Sequence, residues 1–401
     1  MRIAWWSNAV WAPTGYGGQS KQVIKRLRAD GHEVALITNW GLTGAPQNHD
    51  GMPVFPQGAH PYSLDVADYY ADHWLGDRGL VICLYDTWPL QEGNPDLWKK
   101  HDAWYWAPID HAPPPPKVQD WCRTHNIIAM SDFGREQLEK AGMPPRYTIP
   151  HAIESSVFHP VDSDIRKVLA VPDDAHLTIT VMANIGQAPV RKSWFENLMA
   201  WRLFADKHDD AYIYIHTALR HSRGVDLASF ISMWGLPGER VRVVDQGAYG
   251  AGIVDEAALA ALYTAADVNL MATAGEGFGV PAIESQACGT PVIGTDFSAQ
   301  REVIGAGWKV PYVTIWDYMQ GAAQALPDIA AIADALEQSY AISKDPAEKA
   351  RISEAAIVHA AQYDADKVYA EQWRPFLADR EAQPIPLNRE QRRRKKRGKA
   401  A

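Results

Sequence analysis

Ile3-Ala4-Trp5-Trp6-Ser7, then Thr14-Gly15-Tyr16-Gly17-Gly18, then Ser20 to Asp30, Gly31, and Glu33 to Thr38: the opening of the chain decides the fold class. A short apolar run bounded by polar residues suits a buried strand, and a glycine-rich turn follows it. Ser20 to Asp30 reads as a helix with Gly31 at its exit, and Glu33 to Thr38 as a second strand. Strand, crossover helix and strand make a βαβ unit, hence a parallel sheet. Leu80 to Leu84, Ala103 to Ala107 and Ile127 to Ser131 extend the series. After Phe158-His159-Pro160 it restarts, with Leu177 to Ala183, Ala211 to His216, Val241 to Val244, Val268 to Ala272 and Pro291 to Gly294. The expected fold is α/β, with two Rossmann-like, doubly wound domains facing a cleft.

A chain of 401 residues exceeds one ordinary core, in keeping with two domains. We place the first at residues 1–160, a polar linker at 161–175, the second at 176–360, a C-terminal helix able to return to the first domain at 361–383, and a disordered basic tail at 384–401. Hydrophobic residues at 47% and charged residues at 22% exclude a disordered or fibrous class. No apolar run approaches a membrane span and the opening lacks a signal-peptide pattern, so a cytoplasmic location is expected. Cys83, Cys122 and Cys288 are too few for a zinc site and odd in number, which favours buried thiols over a disulfide framework. Net charge is −9, but Arg389 to Lys399 carries eight Lys/Arg against one Glu, leaving −16 on the rest. Such a run suits phosphates of nucleic acid or an anionic membrane surface, or merely solvates the terminus.

The most informative segment for chemistry runs Gly275-Glu276-Gly277-Phe278-Gly279-Val280-Pro281-Ala282-Ile283-Glu284, ending at Cys288-Gly289-Thr290-Pro291. Three glycines in five positions allow close backbone approach to a ligand, Pro281 suits the first turn of a helix and Gly289 its exit. A loop feeding a helix N-terminus favours an anion such as a diphosphate. Glu276 and Glu284, on loop and helix, can both accept hydrogen bonds from sugar hydroxyls.

This segment resembles the Glu-x7-Glu signature of retaining glycosyltransferase family 4, of the GT-B architecture. Leu262 to Val268, Ile149-Pro150-His151-Ala152-Ile153 and Phe158-His159-Pro160 resemble further parts of that family. The resemblance implies that a UDP- or GDP-linked sugar is the donor substrate, with no cofactor and no metal. Glu284 would hold the ribose, and Glu276 the transferred sugar. The N–H groups of Gly277, Phe278 and Gly279 would meet sugar and phosphate oxygens, and Arg191 and Lys192 the departing diphosphate. Gly17 and Gly18, in the loop of the first domain, are candidates for a phosphate contact from across the cleft.

The resemblance also places a histidine or acid of the first domain near the reacting sugar. The strand Trp104-Tyr105-Trp106-Ala107 runs out into Pro108-Ile109-Asp110-His111, so Asp110 and His111 are the candidates, with the choice between them open. For a retaining enzyme it implies front-face substitution, with Glu276 as a covalent nucleophile the less favoured route. Asp162/Asp164 and Asp364/Asp366 read as solvated acids. Trp5, Trp6, Trp11, Trp40, Trp88, Trp104 and Trp106 sit at or near strand ends facing the presumed cleft, where core packing competes with stacking of an acceptor. The acceptor stays unknown: glycan, lipid, protein or modified nucleic acid. A GT-B sugar-nucleotide epimerase and a non-catalytic sugar-binding homologue are the alternatives.

Overall fold

The computed structural model describes residues 1–39, 44–76, 79–93, 95–185 and 191–382. Trp40, the stretch from Gly186 to Val190 and the basic run Arg389 to Lys399 lie outside them. The first sheet has eight strands: β1 Arg2–Ser7, β2 Glu33–Thr38, β3 Gln47–His49, β4 Met52–Phe55, β5 Leu80–Cys83, β6 Asp102–Ala107, β7 Asn126–Ala129 and β8 Tyr147–Thr148. Their order is β3-β4-β2-β1-β5-β6-β7-β8, parallel throughout except for β3 against β4. The second sheet has β9 His176–Thr180, β10 Ala211–Ile215, β11 Val241–Val243, β12 Val268–Leu270, β13 Val292–Thr295 and β14 Gly307–Val310, in the all-parallel order β11-β10-β9-β12-β13-β14. A hairpin, β15 Tyr312–Asp317 with β16 Ala322–Pro327, follows.

Strand order reverses between β1 and β5 in one sheet and between β9 and β12 in the other. At such a switch point the loops leaving adjacent strands part to opposite faces, opening a crevice at the carboxyl ends. The two switch points set where the loops after β1, β9 and β12 meet.

Several sequence expectations are corrected. Helix Gly15–Ala29 begins five residues before Ser20, because Thr14 caps it by accepting the Gly17 N–H on its side chain. The glycine-rich turn is therefore the first turn of that helix. Ser131 is not a strand residue but caps helix Asp132–Lys140. The linker contains a short helix, Ile165–Val168. Asp366 is solvated as expected, at 84% side-chain exposure, but both acids also hold structure: Asp364 accepts the N–H groups of Asp366 and Lys367, and Asp366 pairs with Arg26 at 2.8 Å. Trp5, Trp6, Trp104 and Trp106 are buried in the core rather than turned to a cleft, leaving only Trp11 and Trp88 of that group exposed among the described residues. Trp194, Leu198, Trp201 and Ala205 form one fully buried helical stripe.

The buried tryptophans explain where the end of the described chain goes. Beyond Tyr363, the backbone pairs with Ile153, and Trp373 packs on Trp5 and Trp106 at ring separations of 5.8 and 5.0 Å. Phe376 adds edge contacts to Trp104 and Tyr147. A segment that follows the second sheet thus completes the core under the first. Other ties join the two halves directly: Lys21 to Glu256 at 2.9 Å, and the Glu302 carboxylate accepting the N–H groups of Asp132 and Phe133 at a helix start. Among the described residues no helix is long and apolar enough to cross a membrane, and all three cysteines are buried and free.

Candidate active site

The loop after β12 carries Gly275 to Gly279 into helix Val280–Ala287, and the loop after β9 delivers Arg191 and Lys192 to the start of helix Trp194–Ala205. Main-chain bonding locks the loops together, as the Ala274 N–H donates to the Arg191 carbonyl at 2.8 Å. The side chains then converge on one carboxylate. Lys192 Nζ lies 2.6 Å from Glu276 Oε1, and an Arg191 guanidinium nitrogen 3.2 Å from Oε2 and 2.8 Å from the Gly275 carbonyl. Ser298 holds the loop by accepting the Glu276 N–H at 2.8 Å. Ser193 adopts a left-handed conformation at φ 45°, the kind of local strain that clusters at functional loops.

The first domain meets this cluster through the exit of β6. Asp110 Oδ2 is 3.7 Å from Arg191, and its Oδ1 is 2.6 Å from His111 Nδ1. Two glycines make the approach possible. A Cβ on Gly275 would run into the Asp110 backbone oxygen, and one on Gly277 would sit 2.8 Å from Pro108 Cβ. Their absent side chains therefore serve domain contact first. Gly279, at φ 98°, needs glycine for its backbone instead. Phe278 is buried against His151 and Tyr363, at ring separations of 5.2 and 5.6 Å.

Burial opposes ionisation of every group here, and the alternation of sign offsets it. For Glu276 burial works upward, but Lys192 and Arg191 hold the carboxyl below its usual range. Burial also works upward on Asp110, yet His111, then Arg191 and Lys192, bring it down to about 2. Lys192 is depressed, first by burial and then by Arg191, with Glu276 opposing. Arg191 is raised despite burial, by Glu276 and Asp110. A pair of cations held ready by a carboxylate can exchange that partner for an incoming anion.

Glu284 stands apart from this cluster on helix Val280–Ala287. It accepts the Tyr263 hydroxyl at 3.0 Å, and burial pushes its carboxyl up to about 7 in spite of that bond. Gly17 and Gly18 do not offer their backbone to a ligand. The Gly17 N–H is spent on the Thr14 side chain and the Gly18 N–H on the Thr14 carbonyl. Gly17 is glycine because a Cβ would meet the Ala12 backbone oxygen. Tyr16 itself donates to Asp86 at 2.7 Å.

Sequence reading missed the partners that fix these groups: Ser298, Tyr263, Asp86, and Asp317 of the hairpin, whose Oδ2 is 3.6 Å from His111 Nε2. Only the hairpin had a local signal. Tyr312-Val313-Thr314-Ile315-Trp316 is rich in β-branched and aromatic residues and runs into a turn with Gly321.

A family model described as "Glycosyl transferases group 1" matches residues 237–341. Among curated proteins, a GDP-mannose-dependent alpha-(1-6)-phosphatidylinositol dimannoside mannosyltransferase of Mycobacterium tuberculosis is 29% identical over 45% of this chain and 43% of its own length. A D-inositol 3-phosphate glycosyltransferase of Geodermatophilus obscurus is 30% identical over 45% of this chain and 40% of its own. The chain thus matches less than half the length of these relatives. Over the whole fold, a sucrose-phosphate synthase of Thermosynechococcus elongatus superposes with TM-score 0.72 at 18% identity, covering 96% of this chain and 100% of that one. Anabaena HepE in complex with UDP and glucose gives 0.66 at 16% identity, covering 94% and 100%. The architecture is the GT-B fold, two Rossmann-like domains facing a cleft.

Proposed function

We propose that this protein is a metal-independent retaining glycosyltransferase that moves a hexose from a UDP- or GDP-linked donor to an acceptor entering from the first domain. The observation that carries the reading is the convergence of Arg191 and Lys192 on Glu276 where the loops after β9 and β12 meet. Donor binding exchanges partners: the diphosphate takes the two cations and the N–H groups of Gly277, Phe278 and Gly279, and Glu276 turns to the sugar hydroxyls. Glu284 accepts the ribose hydroxyls. As the glycosidic bond breaks, charge grows on the diphosphate, and preplaced cations stabilise it without reorganisation. The leaving diphosphate then takes the acceptor proton on the same face, and Asp110 and His111 line the acceptor side. The matched relatives support the class of donor, one being named for GDP-mannose.

Incubating the chain with a panel of GDP- and UDP-hexoses, with and without candidate acceptors, tests this by mass. A hexose increment on an acceptor is expected. An isomerised sugar from donor alone would favour the epimerase, and binding without turnover the sugar-binding homologue.

Glu284 gives the donor site a pH dependence. With its carboxyl at about 7 in the free protein, the ionised acceptor form is lost as pH falls through that value. A donor that requires the carboxylate then binds about tenfold more weakly for each pH unit below it. Glu284→Gln should weaken binding at pH 8 and flatten the profile; a wild-type dissociation constant equal at pH 6 and pH 8 would remove Glu284 from the donor site.

We assign the run Arg389 to Lys399 a tethering role toward a polyanionic or membrane-borne acceptor, since the rest of the chain at −16 repels such a surface. Deleting residues 388–401 should leave donor hydrolysis unchanged and reduce transfer to such acceptors, most at low salt. Equal transfer by both forms at low ionic strength would end this assignment.

A further inference from the structure

Hairpin β15–β16 ties the donor loop to the exit of β6. The Ala325 N–H donates to the Ala274 carbonyl at 3.0 Å, and the Ala112 N–H to the Ala323 carbonyl at 3.2 Å. Its only acidic residue is Asp317, which is buried, whereas Trp316, Tyr318 and Met319 around it are 50%, 88% and 80% exposed. One Asp317 oxygen is occupied by the turn, with Oδ1 accepting the N–H groups of Met319 and Gln320 at 2.9 and 3.1 Å. The other, Oδ2, faces His111 Nε2 at 3.6 Å, and that nitrogen is buried without a hydrogen-bond partner. Capping a turn requires neither burial nor a negative charge, since neutral Asn makes the same turn bonds and Ser makes them more weakly.

The charges continue beyond the hairpin. From Asp317 the chain runs to His111, to Asp110, to Arg191, to Glu276 and to Lys192, alternating in sign at every step. A histidine flanked by a carboxylate at each ring nitrogen donates from both only as imidazolium. We propose that Asp317 is a positioning residue of the candidate active site, holding His111 as the middle member of an Asp317–His111–Asp110 chain and so keeping Asp110 turned toward Arg191. The proposal rests on reading Asp110 and His111 as part of a transfer site. In this arrangement the second domain's hairpin sets the orientation of a first-domain residue, so the acceptor side is complete only when the two domains are closed.

The groups bearing on His111 are Asp110 on its own strand exit, Asp317 on the hairpin, and Arg191 and Lys192 behind Asp110. Burial lowers the proton affinity of the ring, and the two carboxylates outweigh it, Asp110 more than Asp317, so that His111 titrates above an ordinary histidine.

The test is an NMR titration of the full chain with ring-labelled histidine, the His111 signal being assigned by its loss in His111→Gln. Asp317→Asn keeps an oxygen for the turn and removes only the charge. It should lower the His111 midpoint by about one pH unit, the size of shift that a charge at this range produces. In turnover, kcat should fall about tenfold while donor affinity stays within about twofold, the pattern of a group felt only in the transition state. Asp317→Ser, which also retains a turn acceptor, provides the same comparison if the Asn variant does not fold. A His111 midpoint that is unmoved in a folded variant overturns the proposal and leaves Asp317 a turn cap. The midpoint needs no turnover, so a shifted midpoint in a protein that transfers no sugar supports the contact and counts against the proposed function alone.

Discussion

Replacing Lys192 by Ala is expected to lower the rate of sugar transfer by roughly 10²–10³-fold, the loss typical of removing one preplaced donor to a developing negative charge. Affinity for the nucleoside diphosphate should change far less, by under about tenfold, because the bound ground state already spreads its charge over several partners. The side chain is 11% exposed and its ammonium sits 2.6 Å from Glu276, so its position is set before any ligand arrives. The fold should survive the change, since Glu276 keeps Arg191 as a partner at 3.2 Å and is not left as an unpaired buried charge. Steady-state rates beside calorimetric affinities decide the matter. Equal losses in rate and affinity would reduce Lys192 to a ground-state anchor.

The second large effect is expected from Gly275→Ala. The added methyl has no free space, because it points at the Asp110 backbone oxygen rather than at a side chain that can swing away. Relief requires the loop that carries Glu276 to withdraw from the exit of β6. Displacing reacting groups by about 1 Å can cost roughly 10² in rate, so transfer should fall by about that factor while the donor still binds. Gly18→Ala provides the contrast. Nothing lies within 4 Å of its Cβ, and the residue is inside helix Gly15–Ala29. Activity should be kept, and stability should rise by about 0.5–1 kcal/mol, the usual gain for Gly to Ala in a helix. A Gly275→Ala enzyme of normal rate would show that closure at Asp110 is not needed for chemistry; an inactive Gly18→Ala enzyme would return that turn to the phosphate site.

The contrast between these two glycines marks what was legible in the sequence. Buried parallel strands such as β1, β5, β6 and β9 are short continuous apolar runs, and they stand out for that reason. Strands β3, β8 and β14 are brief and partly exposed, so no apolar run announces them, whereas β15 carries a β-branched and aromatic run although most of it is exposed. Arg191, Lys192, Glu276 and Glu284 are singled out by the resemblance of their segments to a known family, and the fold brings the first three together. What spacing does not contain is the partner across the chain. The sequence separations of 22 from Glu276 to Ser298, and of 206 from His111 to Asp317, are bridged only by the folded topology. Glycine was the most deceptive residue type, since Gly275, Gly277 and Gly279 look alike in sequence. Two admit a neighbouring domain and one accommodates a left-handed backbone. For tryptophan the core-packing reading holds: Trp5 and Trp106 lie on strands that lead to the cleft, and their rings pack beneath the sheet on Trp373.

The central claim is that Arg191 and Lys192 perform at the leaving diphosphate what a divalent ion would otherwise do, in a transfer that keeps the anomeric configuration. The most direct test is the proton NMR spectrum of the first product formed from an α-linked nucleotide sugar, in the presence and absence of EDTA. The account predicts an α-linked product formed at the same rate in both. A β-linked product, or a rate abolished by EDTA and restored by a divalent ion, would contradict it.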